Sequence, residues 1–320
     1  MLNHLLILDA HEDIAFHMNH YGRDFVNPSV ACMITLPRLK EGNVGLVFNT
    51  IFVHPKHKPG KTLESALEQF DTYDKIYKEH KDEVFQIKTQ KDLTRIGKNG
   101  RIGFLTLMEG ADPIESPDKL GEFRDRGVRI IGLTWNDKNR YASGNETQDG
   151  LSDDGVALIR RMNELRITLD LSHINEKGFW EAIGLTSLIP IASHSNARSL
   201  TNHPRNLKDE QLLAVSGKGG VIGIVLYNQF LKTSDKTPTM EDVFAHTDYI
   251  VGLCGEDHVG IGSDMDGAKI EDFPMDLRKI SDLPKIAEFF LEKGYSEERV
   301  RKIMGGNFLR VIKKNIAPVG

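Results

Sequence analysis

Short runs of apolar and β-branched residues recur along the 320-residue chain, separated by stretches with helical spacing. Several of these runs are almost continuously apolar, which is typical of parallel strands that are covered on both faces. The pattern predicts eight strands, over residues 5–9, 44–50, 102–108, 129–133, 168–171, 189–192, 221–226 and 259–262.

The helical spacing of apolar residues lies between these strands. It predicts helices over 63–80, 153–165, 283–293 and 297–313, and the long interval 52–101 has room for more than one element. Strands that alternate with helices indicate an α/β protein of the (β/α)8 TIM-barrel class. Because no repeat or change in composition marks a second domain, we expect one catalytic barrel domain over residues 1–320.

Composition narrows the class of protein without naming its function. A charged fraction of 27% and a hydrophobic fraction of 39% are typical of a soluble globular chain. The net charge of -5 gives no electrostatic case for binding nucleic acid. No run approaches the roughly 20 apolar residues of a membrane span, and the N-terminus lacks the pattern of a signal peptide. A cytoplasmic protein is therefore expected.

Two cysteines and a histidine-containing loop add little chemistry. Cys32 and Cys254 are far apart and lack the spacing of a zinc site, so they are expected to be buried thiols in a reducing compartment. His54 and His57 lie in a loop rich in proline and lysine, and are expected to be solvated rather than to bind metal.

Imidazole and carboxylate side chains follow five of the eight predicted strands. In barrel enzymes the working residues lie at the C-terminal ends of the strands. The first strand ends in a His-x-Asp motif, whose alternate residues can point to the same side of an extended chain. A His-x-Asp motif often occurs by chance, whereas a His, Asp or Glu after each of five strands is much harder to obtain by chance. The full set comprises His11, Asp13, Glu109, His173, His194 and Asp264.

Three imidazoles and three carboxylates around one barrel mouth could bind two divalent ions and leave one free acid or base. Carboxylates can bridge two metals, and ligands of these types suit zinc and, less selectively, manganese or iron. The sequence therefore predicts a metal site at the C-terminal end of the barrel.

The chain resembles the membrane (renal-type) dipeptidase family of zinc metallopeptidases, family M19, and within it a soluble bacterial-type member. That family belongs to the wider group of amidohydrolase-like barrels. The matching segments run in the family's order along nearly the whole chain. They read LDAHED, LMEGAD, LDLSH, ASHSNAR, NHPRN, GSDMDG and IMGGNFLRV.

The resemblance implies a role for each residue at the strand ends. His11 and Asp13 would hold one Zn²⁺, His173 and His194 would hold the other, and Glu109 would bridge them. A water or hydroxide between the ions would be the nucleophile, because two metals can lower its pKa and polarise the scissile carbonyl.

Two further residues receive roles from the same resemblance. Asp264 would be the acid/base that manages the nucleophile's proton and protonates the leaving amine. Arg205 would hold the terminal carboxylate of the substrate, since a guanidinium grips both carboxylate oxygens. Mn²⁺ or Fe²⁺ could replace zinc in one or both sites. The family's tendency to dimerise implies a homodimer.

One position departs from the family's pattern. In the mammalian members the fourth strand ends in Leu-Thr-His, and that histidine contacts the substrate and the developing oxyanion. Here Trp135 takes its place and is followed by Asn136, so both are expected to contact the substrate. Either the second metal carries the oxyanion alone, or a donor comes from Asn136, Asn139, Arg140 or Tyr141.

Three functions remain open at this point. The first is a dipeptidase that hydrolyses L-Xaa-L/D-Xaa dipeptides with a free carboxylate, because the family accepts D-residues at the C-terminal position. The second is another amidohydrolase-like barrel, acting on N-acyl amino acids, cyclic amides or phosphoesters. The third is a barrel that binds metal or peptide without turnover, against which Asp264 argues. Glu109 and Arg205 favour the first function.

Overall fold

The computed structural model describes residues 5–27, 29, 32–54, 60–232 and 237–316. His57 lies outside these residues. The strands are β1 (Ile7–Glu12), β2 (Val44–Phe52), β3 (Val84–Gln86), β4 (Ile102–Glu109), β5 (Val128–Gly132), β6 (Thr168–Asp170), β7 (Ile191–Ala192), β8 (Val221–Ile224) and β9 (Val259–Ile261). The α-helices are α1 (Ile14–Tyr21), α2 (Leu36–Glu41), α3 (Thr62–Glu79), α4 (Gln90–Leu93), α5 (Leu120–Arg126), α6 (Asp153–Leu165), α7 (Glu176–Leu185), α8 (Asp209–Gly217), α9 (Asn228–Leu231), α10 (Met240–Cys254), α11 (Leu283–Glu292), α12 (Glu297–Arg301) and α13 (Asn307–Asn315).

Eight parallel strands form a nearly closed barrel in the order β1, β2, β4, β5, β6, β7, β8 and β9. Side chains join the last strand to the first. Asp9 Oδ1 accepts a hydrogen bond from the Ser263 amide at 2.8 Å, and the Ser263 hydroxyl donates to Glu12 Oε1 at 2.9 Å. The predicted (β/α)8 barrel is confirmed.

The strand β4 shows how the sequence builds the barrel and the site together. All eight of its residues are buried, as expected for a parallel strand covered on both sides. Leu105 and Leu107 point into the apolar cluster that also contains Leu46 and Phe48 of β2. Because side chains alternate along a strand, Glu109 continues the same face at the top of that interior.

The helices follow the predicted apolar spacing. The helix α6 begins after Ser152, whose hydroxyl accepts a hydrogen bond from the Gly155 amide at 3.0 Å, and it places Leu158, Ile159 and Met162 against the core. Among the described residues, no helix combines the length and the apolar character needed to cross a bilayer.

The prediction missed one strand and several helices and merged two others. The helices without a predicted range are α1, α2, α4, α5, α7, α8, α9 and α10. The three-residue strand β3 was not predicted; it pairs with β4 outside the main strand order. The segment predicted as one helix over 297–313 is two, because a π-helical turn at Lys302–Gly306 separates α12 from α13. Gly305 leaves helical geometry there and packs against the start of β1, where a Cβ atom would be only 2.9 Å from the carbonyl of Leu6, the residue before the strand.

Candidate metal centre and active site

The barrel brings the six strand-end residues together at one mouth. They reach it from the C-terminal ends of different parallel strands or from the residues that follow, which is where barrel active sites form. His11 lies on β1 and Asp13 precedes α1, while Glu109 ends β4. The other three follow β6, β7 and β9, and they are His173, His194 and Asp264.

Glu109 lies at the centre of the cluster and faces two groups of ligands. Its Oε2 is 3.3 Å from His11 Nε2, and its Oε1 is 2.8 Å from His173 Nε2 and 3.6 Å from His194 Nε2. His11, Asp13 and Asp264 also bring ligand atoms within 4.8 Å of one another. We name two neighbouring sets of potential metal ligands around this carboxylate the His11–Asp13 group and the His173–His194 group. The two sets adjoin, because His11, Glu109 and His194 also bring ligand atoms within 4.8 Å of one another.

Hydrogen bonds orient both imidazoles of the His173–His194 group. His173 Nδ1 is 2.7 Å from Asn136 Oδ1, and since that oxygen only accepts, Nδ1 carries the proton. His194 Nδ1 is 2.7 Å from Ser193 Oγ, and Ser193 in turn donates to the buried carboxylate of Asp170. Both Nε2 atoms are therefore left with lone pairs directed at the cluster.

The resulting arrangement fits a cation. The two Nε2 atoms are 2.9 Å apart, and that of His173 is 2.8 Å from a Glu109 oxygen, so three electron-rich atoms converge without a proton between them. In the His11–Asp13 group, neither ring nitrogen of His11 has a hydrogen-bond partner among the described residues, although both are buried. A divalent ion among each set would satisfy these atoms.

Electrostatics distinguish the two groups. Burial opposes charge on His11, but the neighbouring carboxylates, led by Glu109, outweigh it and raise its pKa to about 10. Burial and the charge of Glu109 raise the pKa of Asp13 to about 7. In the other group, burial lowers the pKa of His173 to about 3 and that of His194 well below its usual range, so both imidazoles are neutral.

Backbone geometry is unusual at two of the cluster residues. His173 and Asp264 adopt φ values of 68° and 57°, in the left-handed region that residues other than glycine rarely occupy. Backbone strain of this kind is found mainly at functional sites, and it persists only where the surrounding structure maintains it. Gly267 makes room for the Asp264 carboxylate, since a Cβ atom on Gly267 would overlap Asp264 Oδ1.

A pocket of about 220 Å³ opens above the cluster. Its lining includes ligand residues, Asp264, Arg205 and a set of apolar or aromatic residues, which are Phe52, Trp135, Tyr227, Phe230 and Ala268. Burial, with reinforcement from Asp13 and Glu109, raises the pKa of Asp264 to about 8, so this carboxyl group can hold a proton at neutral pH.

Arg205 contributes a buried positive charge to this pocket. Its side chain is 5% exposed, one Nη donates to the His194 carbonyl at 3.1 Å, and Nε has no hydrogen-bond partner among the described residues. Burial lowers its pKa to about 10, which leaves it charged. Since a buried charge without a paired counter-ion is costly, the guanidinium is suited to an anionic ligand.

The structure also places the residues around Trp135. Trp135 and Asn136 line the pocket, whereas the other candidate donors are engaged elsewhere or do not line it. Asn139 donates to Asp112 and to the Leu133 carbonyl, and Tyr141 donates to the Ile114 carbonyl. His54 packs on the Trp135 ring with centroids 5.5 Å apart and is not among the ligand clusters of the described residues.

Several residues of the site did not emerge from the sequence. Asp170 and Ser193 support His194, and Thr50 donates a hydrogen bond to Asp13 from the neighbouring strand. Phe52 and Phe230 contribute the aromatic lining of the pocket. Asp170 and Ser193 adjoin strand-end motifs, which was an available signal, but the aromatic residues look like ordinary core positions in the sequence.

Comparisons with known proteins identify the family of the chain. The sequence profile of the membrane dipeptidase family, peptidase family M19, matches residues 1–318. A Klebsiella pneumoniae protein, described as an uncharacterized protein in the pqqA 5′ region, is 35% identical over 69% of this chain and 85% of its own length. The dipeptidase ataJ of Aspergillus terreus is 30% identical over 96% of this chain and 84% of its own length.

A solved structure shares the architecture. A metallopeptidase of Rhodobacter sphaeroides, bound to a phosphinate mimic of the dipeptide L-Ala-D-Ala, superposes with a TM-score of 0.91 at 26% identity and covers 97% of this chain and 99% of that one. A (β/α)8 barrel with histidine and carboxylate ligands at its mouth defines a metal-dependent hydrolase. The chain belongs to the membrane dipeptidase family, peptidase family M19.

Proposed function

We propose that this protein is a binuclear zinc dipeptidase that hydrolyses L-Xaa-L/D-Xaa dipeptides with a free C-terminal carboxylate. The observation that carries the proposal is the buried, unpaired guanidinium of Arg205 in the same pocket as the ligand cluster. Its position suits a substrate whose carboxylate lies a short distance from the bond to be broken. The dipeptide mimic bound to the Rhodobacter sphaeroides metallopeptidase supports the same substrate class, including a D-residue at the C-terminus.

The proposed metal ligands are assigned to two ions. His11 and Asp13 would hold one ion, His173 and His194 the other, and Glu109 would contact both. When bound, two divalent ions lower the pKa of nearby water and polarise a carbonyl group. Histidine and carboxylate ligands suit Zn²⁺, and Mn²⁺ or Fe²⁺ in one or both sites would be compatible with the same set.

Asp264 is proposed as the acid/base. Hydrolysis adds a water oxygen to the carbonyl carbon, breaks the C–N bond and delivers a proton to the departing nitrogen. The ionised carboxylate can accept a proton from water, and a pKa raised to about 8 lets Asp264 hold that proton until it passes to the departing nitrogen. Its left-handed backbone and the space left by Gly267 fix where its oxygen atoms lie.

Substrate contacts are proposed for three residues. Arg205 would bind the terminal carboxylate through charge-assisted hydrogen bonds. Trp135 and Asn136 follow β5 and line the same pocket, and the Asn136 oxygen is already engaged with His173. That leaves the Asn136 amide group as a donor for the substrate, in the place where mammalian members have a histidine.

A second candidate is an N-acyl amino acid hydrolase, which the aromatic lining beside Arg205 would also suit. The test is to load the purified protein with zinc and assay L-Ala-L-Ala, L-Ala-D-Ala, N-acetyl-alanine and L-Ala-L-Ala-amide. We expect hydrolysis of the two dipeptides. Turnover of N-acetyl-alanine alone would favour the second candidate, and zinc binding without any turnover would favour a binding protein.

Arg205→Ala tests whether Arg205 binds the terminal carboxylate of the substrate. It should raise KM for L-Ala-D-Ala about a hundredfold, because a buried charge pair is worth several kcal/mol, and it should leave the amide substrate unaffected. Arg198→Ala, which removes an arginine bonded to Asn202, is the matched control and should change neither KM. Asp264→Asn should lower kcat while zinc content stays the same.

We also propose that the protein acts as a homodimer in the cytoplasm and needs no macromolecular partner for catalysis. Sedimentation of the zinc-loaded protein would test the oligomeric state. A single species with the mass of one 36.0 kDa chain would overturn that part of the proposal.

A further inference from the structure

The strand order places an aromatic surface across the mouth from Arg205. Three strands (β4, β5 and β6) lie between β2 and β7 on one side, and three (β1, β9 and β8) lie between them on the other. Phe52 ends β2, and Arg205 belongs to the segment that follows β7. The two side chains line the same pocket from opposite sides of the barrel.

Phe52 and Trp135 form a continuous apolar surface there, which we name the aromatic wall. Their ring centroids are 5.5 Å apart, and Phe16 packs behind Phe52 at 5.0 Å. Phe52 is 6% exposed, whereas Trp135 is half-buried and presents its indole to the pocket. The wall carries no charge, and the indole N–H is its one polar group.

Among the described residues, the charged side chains that line the pocket already have proposed roles in metal binding, proton transfer or binding of the substrate carboxylate. Its acidic residues are Asp13, Glu109 and Asp264, all of which belong to the ligand cluster or the acid/base role, and its arginine lies across the mouth. A charged side chain placed against the aromatic wall would lose its water, and for a lysine a cation–π contact would offset only part of that loss. An apolar side chain there would gain from leaving water.

We propose that the aromatic wall binds the side chain of the substrate's N-terminal residue and selects apolar, above all aromatic, residues at that position. The inference rests on the proposed dipeptidase function. With the C-terminal carboxylate at Arg205 and the scissile carbonyl above Glu109, the N-terminal residue lies on the side away from Arg205. In an extended dipeptide the two side chains point to opposite faces of the chain, so they can reach opposite sides of the mouth.

The experiment compares kcat/KM for Xaa-D-Ala dipeptides in which Xaa is Phe, Leu, Ser, Asp or Lys. The zinc-loaded wild type should prefer Phe and Leu over Ser, Asp and Lys by about tenfold or more, since a few apolar groups in a pocket discriminate by one to two orders of magnitude. Trp135→Ala should reduce that preference to about threefold or less, mainly by losing activity on Phe-D-Ala. Trp135→Phe should retain it.

The matched control uses the second of the two tryptophans in the chain. Trp180 lies on α7 with 43% of its surface exposed, so Trp180→Ala removes an equal side chain from outside the pocket and should keep the wild-type preference. It also leaves Trp135 as the sole indole. A phosphinate mimic of L-Phe-D-Ala should then change the fluorescence of the zinc-loaded Trp180→Ala protein more than a mimic of L-Ser-D-Ala does.

The outcomes separate this inference from the function on which it rests. Dipeptide hydrolysis without an apolar preference, or an equal loss on every substrate in Trp135→Ala, overturns the aromatic wall and leaves the dipeptidase proposal standing. A wild type that hydrolyses no dipeptide overturns both. Equal fluorescence changes for the two phosphinates would count against the wall independently of turnover.

Discussion

The two groups of ligands around Glu109 are built differently. In the His173–His194 group, each ring has a hydrogen-bond partner on Nδ1, and one of these partners is itself held by Asp170. In the His11–Asp13 group, Asp13 accepts from Thr50, but neither ring nitrogen of His11 makes a hydrogen bond with the described residues, and its Nε2 lies 3.3 Å from Glu109 Oε2. Hydrogen bonds orient the rings of one group, whereas packing and the charge of Glu109 hold the ring of His11.

The two groups of ligands also differ in protonation at neutral pH. The histidines of the His173–His194 group are neutral because burial lowers their pKa values. The carboxylates around His11 raise its pKa to about 10, so a proton occupies the His11–Asp13 group at neutral pH. Since metal ligands have to be deprotonated, an ion entering this group displaces a proton, whereas an ion entering the other does not. If each group binds one ion as proposed, we expect the ion at His173 and His194 to be the tighter of the two.

Glu109→Gln should have the largest effect, because it removes the carboxylate that serves both groups. The amide offers one oxygen and no charge, so both ions should bind more weakly and kcat should fall about a thousandfold, equivalent to about 4 kcal/mol in activation free energy. Metal content after dialysis, together with kcat at saturating zinc, measures the effect.

The control for this change is Glu122→Gln, which alters an exposed carboxylate on α5 paired with Lys119 and should leave metal content and kcat unchanged. If Glu109→Gln lost only one ion, Glu109 would belong to a single group and the division drawn here would be wrong.

Gly262→Ala should displace the backbone at Ser193 and thereby disturb the His173–His194 group. The Ser193 carbonyl packs so closely between Gly223 and Gly262 that a Cβ atom on either glycine would overlap it. Because Ser193 precedes His194 and bonds to its ring, the displacement should reach the ligand. We expect a loss of about 3 kcal/mol in the free energy of unfolding, measured in urea.

Gly184→Ala is the matched control, since the space around that helical glycine on α7 is open. It should stabilise the protein by about 0.5–1 kcal/mol, as expected when a glycine inside a helix is replaced by alanine. Equal effects of the two substitutions would show that Ser193 is not held by Gly262.

The same comparison shows what the sequence could predict. The ends of parallel strands meet at one mouth, so His11, Glu109, His173 and the other strand-end residues could be placed together from the strand pattern alone. The resemblance to a family then paired them. The supporting contacts were out of reach, because Ser193 and Asp170 act across neighbouring strands whose register the pattern does not contain. The aromatic wall left no signal, since Phe52 is one more apolar residue in a buried strand.

The sequence also predicted the main strands and the class of the fold but not its finer features. The main strands and α6 follow from apolar spacing, and the barrel class was confirmed. The strand β3 pairs with β4 outside the barrel order, and it lies in the long interval 52–101, to which the apolar pattern assigned no strand. The break between α12 and α13 depends on Gly305 packing against β1, a tertiary contact between residues about 300 positions apart in the chain, which a local pattern does not reveal.

Asp170→Asn tests the support of His194 without disturbing the backbone. The amide can no longer accept from Ser193 in the same way, so the His194 ring loses its fixed tautomer and orientation. Substitution of such outer partners typically costs 10–100-fold in metal affinity, and we expect about tenfold to a hundredfold here. Competition with a chromogenic chelator should show the loss for the tighter ion alone. Asp154→Asn, an exposed change in the first turn of α6, should leave both affinities as they are.

Thr50→Val should have the smallest effect and should fall on the other group. Valine keeps the shape of threonine but removes the hydroxyl that donates to Asp13, and that hydrogen bond lowers the pKa of the carboxyl. Without it, the Asp13 pKa should rise above about 7, so the proton competes more strongly with the ion. The affinity of the weaker ion should fall about threefold to tenfold at pH 6 and less at pH 8, where the carboxyl is largely ionised in both proteins. Thr186→Val, which removes a hydroxyl bonded to the Leu188 carbonyl beyond α7, controls for the loss of a threonine hydroxyl. A loss of equal size at the two pH values would mean that Thr50 only shapes the site and does not set the proton affinity of Asp13.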